Sequence, residues 1–185
     1  MSGNPSIRSE YESRGVRGFY AAAGGNYRNP HEPQVRRAIA AAVRIWRPNL
    51  AHVLDLAAGS GEATLVLREL GAGRVDGIDP YTAEAFRART GLTAERLAFE
   101  DVAAGALSGR RYSLIVCSFA LHLCGTSRLP AVAQQLGLVG EALLVLTPHK
   151  RPVIKPESGW DLLGEHVVER VRARMYRSTL LTRRD

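Results

Sequence analysis

Cysteine, lysine and long apolar runs are all scarce in this chain of 185 residues. Two cysteines, Cys117 and Cys124, are too few for a disulfide framework and suit a reducing compartment. No apolar run approaches the ~20 residues that span a bilayer. The opening residues Met-Ser-Gly-Asn-Pro-Ser hold no apolar signal core. These absences argue against a disulfide scaffold and a helical membrane protein, and the expected location is the cytoplasm. His31, His122, His149, Cys117 and Cys124 share no close ligand spacing, so no metal site is expected. What is present is ordinary for a single soluble domain over 1–185, large enough to bury a core without disulfides or metal. The formal net charge is +7, and of the 25 basic residues only Lys150 and Lys155 are lysine. Such a balance permits RNA or another anionic partner without demanding one, and scattered surface arginines produce the same number.

The chain is organised around residues 53–64, Val-Leu-Asp-Leu-Ala-Ala-Gly-Ser-Gly-Glu-Ala-Thr. Val53, Leu54 and Leu56 form the short apolar run of a buried parallel strand. Gly59 and Gly61 permit a sharp turn and close approach of a ligand. The helix that follows directs its free N–H groups at the turn. A nucleotide-like ligand at the carboxyl end of the first strand is one reading, and a glycine-rich turn with no ligand is the other. The dinucleotide fingerprint needs a third glycine where this chain has Thr64, which weakens an NAD or FAD assignment. Residues 74–80, Arg-Val-Asp-Gly-Ile-Asp-Pro, read as a second strand ending in an acid. Asp79 stands about two dozen residues beyond Asp55, the spacing at which a second strand presents a carboxylate to a ribose. Residues 97–101, Leu-Ala-Phe-Glu-Asp, read as a third strand with a second acid at its end.

The pattern Asp55-x-Ala57-x-Gly59-x-Gly61 resembles the first motif of the class I S-adenosylmethionine-dependent methyltransferases, in which glycine usually stands where this chain has Ala57. The resemblance covers about 33–176 and is strongest over 53–119. It implies an α/β, Rossmann-like, doubly wound sheet of six or seven mostly parallel strands with an antiparallel C-terminal addition. It also implies S-adenosyl-L-methionine as cofactor. Asp55, Ala57, Gly59 and Gly61 would form the cofactor turn. Asp79, with Pro80 beside it, would meet the ribose. Asp101, with Val102 beside it, or else Glu100, would meet the adenine amino group, and Ser118 would lie beside the methionine end.

The acceptor side is less determined. Residues 1–33 are rich in tyrosine, glycine and asparagine, with little periodicity, and read as a lid preceding a core over 34–185. The lid holds Tyr20, Tyr27 and the run Tyr27-Arg28-Asn29-Pro30-His31, which resembles N-terminal segments of small methyltransferase-like proteins. Tyr20, His31 and His149 are the catalytic candidates; Tyr27, Arg28, Asn29, His122, Lys150 and Arg151 are candidate acceptor contacts. His122 follows the clearest strand, 112–119, and reads as an acid, a base, a substrate contact or a packed residue bonded to backbone. Pro148-His149-Lys150-Arg151-Pro152 follows a fifth strand at 142–147 and reads either as an acceptor site or as a solvated basic loop.

Helices are expected over 33–46, 61–70, 82–90 and 128–138, the third capped by Thr82. After Trp160 a short helical or irregular piece is expected. The alternation over 167–177 then reads as an amphipathic edge strand with an arginine face, and 179–185 as a remnant of a seventh strand. The expected activity is methyl transfer to a small anionic molecule. RNA or ribosomal protein is the alternative acceptor, and a cofactor-binding pseudoenzyme or partner subunit the alternative role. A monomer or weak homodimer, without membrane association, is expected.

Overall fold

The computed structural model describes residues 28–181. Tyr20, Tyr27 and most of the expected lid lie outside them, as do residues 182–185. The first element is α1, Glu32–Trp46, with Pro33 in its opening turn, where the missing N–H costs nothing. Its stripe of Val35, Ala38, Ile39 and Ala42 is buried, and Arg47 ends it in a left-handed conformation. There follow β1 His52–Leu56, α2 Glu62–Glu69, β2 Arg74–Ile78, α3 Ala83–Thr90, β3 Ala94–Glu95 and α4 Phe99–Ala103. Then come β4 Leu114–Ser118, a 3-10 turn Leu121–Cys124, α5 Leu129–Val139 and β5 Ala142–Thr147. The chain closes with a second 3-10 turn Pro156–Ser158, β6 Trp160–Val168 and β7 Val171–Ser178.

The seven strands form one sheet in the order β3-β2-β1-β4-β5-β7-β6. β1 to β5 pair in parallel; β7 runs antiparallel to β5, and β6 to β7. Alternate residues of each strand face opposite sides. Val53, Val116 and Leu144 pack with Val35 and Ile39 of α1 and Val66 and Leu67 of α2. Leu54, Ile115 and Val145 pack with Val102 of α4 and Val132 and Leu136 of α5. Helices therefore cover both faces. The connections leaving β1 and β4, which are neighbours, run to opposite sides of the sheet. The carboxyl ends of these two strands thus flank the crevice where α/β sheets bind ligands.

Three expectations need correction. The third strand is Ala94–Glu95 rather than 97–100; Leu97 and Phe99 turn inward against the α4–α5 side of the core, and Asp101 falls within α4. The stretch after Trp160, expected to be helical or irregular, lies in β6, Trp160–Val168, which with β7 completes the seven strands, and 179–181 add no strand. Trp160 anchors that strand, fully buried, with its indole N–H donating to the Ala133 carbonyl at 2.8 Å. The alternation over 167–177 is not one edge strand. It folds back at Glu169 and Arg170, both at positive φ (46° and 70°), and β7 lies inside the sheet between β5 and β6.

The ligand end of β2 is packed closely around one ring. Phe86 of α3 is fully buried; a Cβ at Gly77 would lie 2.6 Å from its Cζ, and one at Gly61 would lie 2.3 Å from Thr90 Cγ2. Gly77→Ala is therefore expected to cost about 1–3 kcal/mol through overpacking, read as a lower denaturation midpoint at unchanged m-value. A midpoint equal to wild type would mean that the Phe86 ring has room to move.

Candidate active site

The turn after β1 is built from left-handed residues: Ala57, Gly59 and Gly61 have φ of 57°, 57° and 87°. Ala57 occupies this region at a steric cost that glycine would avoid. Asp55 is completely buried in β1. Its Oδ2 accepts the Thr64 backbone N–H at 3.0 Å and the Thr64 hydroxyl at 2.6 Å, while Oδ1 is buried without a hydrogen-bond partner. Thr64, which reads in sequence only as the absence of a third glycine, is thus the residue that ties α2 to β1. Burial pushes the Asp55 carboxyl up to about 7; Glu62 and Asp79 add to the rise and the Thr64 hydrogen bonds oppose it.

Asp79 follows β2 and joins two turns. Its Oδ2 accepts the Gly59 N–H at 3.1 Å, and its Oδ1 accepts those of Tyr81 and Thr82 at 2.9 and 3.0 Å. Thr82 does not cap α3 through its side chain; its hydroxyl donates instead to the Gly59 carbonyl at 2.7 Å. Pro80 is half-buried beside Asp79. Asp101 is exposed, and its Oδ2 accepts the Ala98 N–H at 2.8 Å, which starts α4. The Val102 side chain is fully buried in the core. Ser118 is half-buried at the carboxyl end of β4.

The acceptor candidates that lie among the described residues meet at the same end of the sheet. Phe119, just past β4, holds a positive φ of 56°, and the His31 ring stacks on it with centroids 5.4 Å apart and planes 20° apart. Such strain at a strand end is characteristic of functional sites. His122 in the first 3-10 turn and His149 after β5 meet edge to face, with centroids 5.2 Å apart. Burial first, and then the facing His149, lowers the His122 pKa below the ordinary imidazole value. Lys150 and Arg151 are exposed beside His149. Arg28 is exposed; Asn29 shapes the turn before α1, its Oδ1 accepting the His31 N–H at 2.9 Å.

Buried Arg174 of β7 holds the basic loop from below. It donates to the carbonyls of Lys150 and Pro152, both at 2.8 Å, and to Glu165 at 2.7 Å. The arginine face expected on this strand is therefore partly internal. Cys117 and Cys124 are buried and free, and burial raises both thiol pKa values, that of Cys124 to about 11. A cavity of about 1000 Å³ lined by His52, Arg74, Glu95, Arg110 and Tyr112 lies at the amino ends of the strands, away from this site.

A model of the methyltransferase domain family matches residues 53–139. The uncharacterized Schizosaccharomyces pombe protein C17A5.05c is 32% identical over 228 residues, covering 94% of this chain and 92% of that protein. The chain belongs to the methyltransferase domain family. Its fold is that of magnesium protoporphyrin IX methyltransferase from Synechocystis PCC 6803, solved with bound S-adenosylmethionine. That structure has a TM-score of 0.56 at 19% identity, covering 92% of this chain and 93% of that one. An O-methyltransferase family protein from Burkholderia thailandensis has a TM-score of 0.62 at 17% identity, over 93% of this chain and 62% of that one. No helix among the described residues is long and apolar enough to cross a membrane.

The residues present fit S-adenosylmethionine, the ligand bound in the Synechocystis structure. The left-handed turn lets a ligand approach the backbone of 57–61. Asp55 Oδ1 is buried without a partner at the end of β1, and Asp79 Oδ2, which accepts one N–H, keeps accepting capacity, while its Oδ1 already takes two.

Two measurements test this end of the methyltransferase. Asp79→Ala leaves three amides without their acceptor and is expected to cost about 2–4 kcal/mol of stability and to weaken S-adenosylhomocysteine binding about tenfold or more. Titration calorimetry on the folded variant reads the affinity, and wild-type affinity would take Asp79 out of the site. The second measurement uses pH. The folded pKa of Asp55 lies above the unfolded value of about 3.9, so the native state keeps a proton that the unfolded chain has lost. Its contribution to stability is full below about pH 4 and is lost as pH rises through about 7. The Tm difference, wild type minus Asp55→Asn, should therefore fall across that window; a pH-independent difference would show an ordinary carboxyl.

Proposed function

We propose that this methyltransferase methylates a small anionic acceptor through an ionisable hydroxyl, with the acceptor held between the His122–His149 pair and the cations of Lys150 and Arg151. The observation that carries the reading is the meeting of two imidazoles 5.2 Å apart beside a basic loop at the ligand end of the sheet. A histidine kept unprotonated at neutral pH can take the proton that a hydroxyl must lose, and the lowered pKa of His122 favours that form. The exposed cations of 150–151 would neutralise the acceptor's charge, and Arg174 gives their loop a fixed shape. His31, stacked on Phe119, would form one wall of the acceptor site.

Bound S-adenosylmethionine supplies an activated methyl group on sulfur. The protein's part is to align the acceptor, exclude water and receive a proton. In this proposal Gly59 and Gly61 shape the cofactor turn, and Asp55 supports the amino-acid end from beneath. Asp79 accepts from the ribose hydroxyls, Asp101 from the adenine amino group, and Ser118 borders the methionine end.

An RNA acceptor would call for uncommitted cations on a continuous surface. Here Arg36, Arg37, Arg74, Arg96, Arg110 and Arg128 are each paired with a carboxylate, which favours the small-molecule reading. Methyl transfer from labelled S-adenosylmethionine to a panel of small hydroxylated acids, and to RNA at low and high salt, separates the two. Turnover on the panel should rise with pH through the His122 titration and level off. His122→Asn should lower kcat about 10²-fold or more and flatten that rise. Transfer confined to RNA, collapsing with salt, would replace this reading.

A further inference from the structure

Arg89 has no role in the reading above, yet it is the most connected cation near the cofactor turn. It sits in the last turn of α3 with its side chain 17% exposed. Its Nη1 donates to the Ser60 hydroxyl and to Glu62 Oε1, both at 3.1 Å, and its Nη2 donates to Glu32 Oε1 at 2.7 Å. Glu62 is almost fully buried, and the same Oε1 also accepts the Ser60 hydroxyl and the Asn29 backbone N–H, the latter at 3.1 Å. One guanidinium thus joins three pieces of chain: the glycine turn through Ser60, the start of α2 through Glu62, and the start of α1 through Glu32. Asn29 completes the link, because its N–H reaches Glu62 while its Oδ1 holds the His31 N–H. His31 then rests on Phe119.

We propose that Arg89 is a positioning residue that couples the cofactor turn to the His31 side of the acceptor site. The physical reason lies in the arrangement of charge. Buried Glu62 needs a cation, and the planar fork of arginine satisfies Glu62 and Glu32 at once, which a single ammonium would not. The bound cofactor rests on the turn that contains Ser60. Fixing that turn fixes the hydrogen-bonded cluster, and the cluster seats residues 29–31. By linkage, seating residues 29–31 strengthens cofactor binding in return. This proposal rests on the cofactor and not on the acceptor class, so it stands or falls separately from the hydroxyl reading.

Two variants test it in the full-length protein. Arg89→Lys keeps the charge and loses the fork. Glu32→Gln leaves the buried Arg89–Glu62 pair intact and weakens only the arm to α1, so it answers the question even if the Arg89 variant folds poorly. Hydrogen exchange of the Asn29 and His31 amides is followed with and without S-adenosylhomocysteine, and calorimetry reads the affinity for the same ligand. In the wild type the ligand should slow exchange at both amides. In both variants that protection should fall about tenfold and affinity several-fold, about the effect of one charge-assisted hydrogen bond, with exchange in β1 and β4 unchanged. Wild-type amides indifferent to the ligand, or Glu32→Gln keeping full protection and affinity, would overturn the coupling.

Discussion

Three backbone N–H groups converge on the carboxylate of Asp79, and the ligand end of the sheet depends on that convergence. Gly59 lies in the first turn; Tyr81 and Thr82 lie in the second. Neither turn has a regular hydrogen-bond ladder of its own, so each needs an acceptor that the strands cannot supply. Phe86 fills the space beneath, against Gly61 and Gly77, and the Thr82 hydroxyl returns a bond to the Gly59 carbonyl. The turns are thereby fixed by one charge, one ring and one hydroxyl. These contacts hold Gly59 and the second turn, and Ser60 beside them is held by the Arg89 cluster.

The same economy governs the arginines. Most of those near carboxylates sit on the surface, as Arg36 with Glu69 and Arg37 with Glu169, where an ion pair contributes about 0–1 kcal/mol. Two are different because they are largely withdrawn from water. Arg174 of β7 holds the carbonyls of the loop after β5, and Arg89 gathers Ser60, Glu62 and Glu32 beside the loop after β1. Each binds a loop that irregular backbone alone would leave free to move. The basic composition therefore serves internal architecture at two places next to the active site.

Strands β1, β4 and β5 are legible because a strand buried on both faces must be an apolar run, whereas β2, Arg-Val-Asp-Gly-Ile, is legible through the acid that follows it and its spacing from Asp55. β3 is not, since two residues, Ala94 and Glu95, carry no periodicity and are strand only because β2 offers them an edge. Leu97 and Phe99 mislead because core burial and strand pairing both select apolar residues. β6 is hidden for the opposite reason: as the outer strand it leaves Leu162, Leu163 and Val167 exposed, and its turn to β7 uses Glu169 and Arg170 rather than glycine or asparagine. Thr64 reads as a missing glycine, whereas its hydroxyl has a partner nine residues earlier in Asp55.

By itself the sequence determined the glycine turn after β1 and the acid after β2 that is bonded to it. Glycine positions, buried apolar runs and the spacing of Asp55 and Asp79 follow from rules that act within one strand-turn-helix-strand unit. Only the tertiary structure decided which distant residues meet: His122 with His149, Asn29 with Glu62, Arg89 with Glu32, Arg174 with the loop after β5. Those meetings depend on the order of strands in the sheet and on where each loop leaves it. No local pattern encodes that order, because it is set by how the two hydrophobic faces of the whole sheet are covered at once.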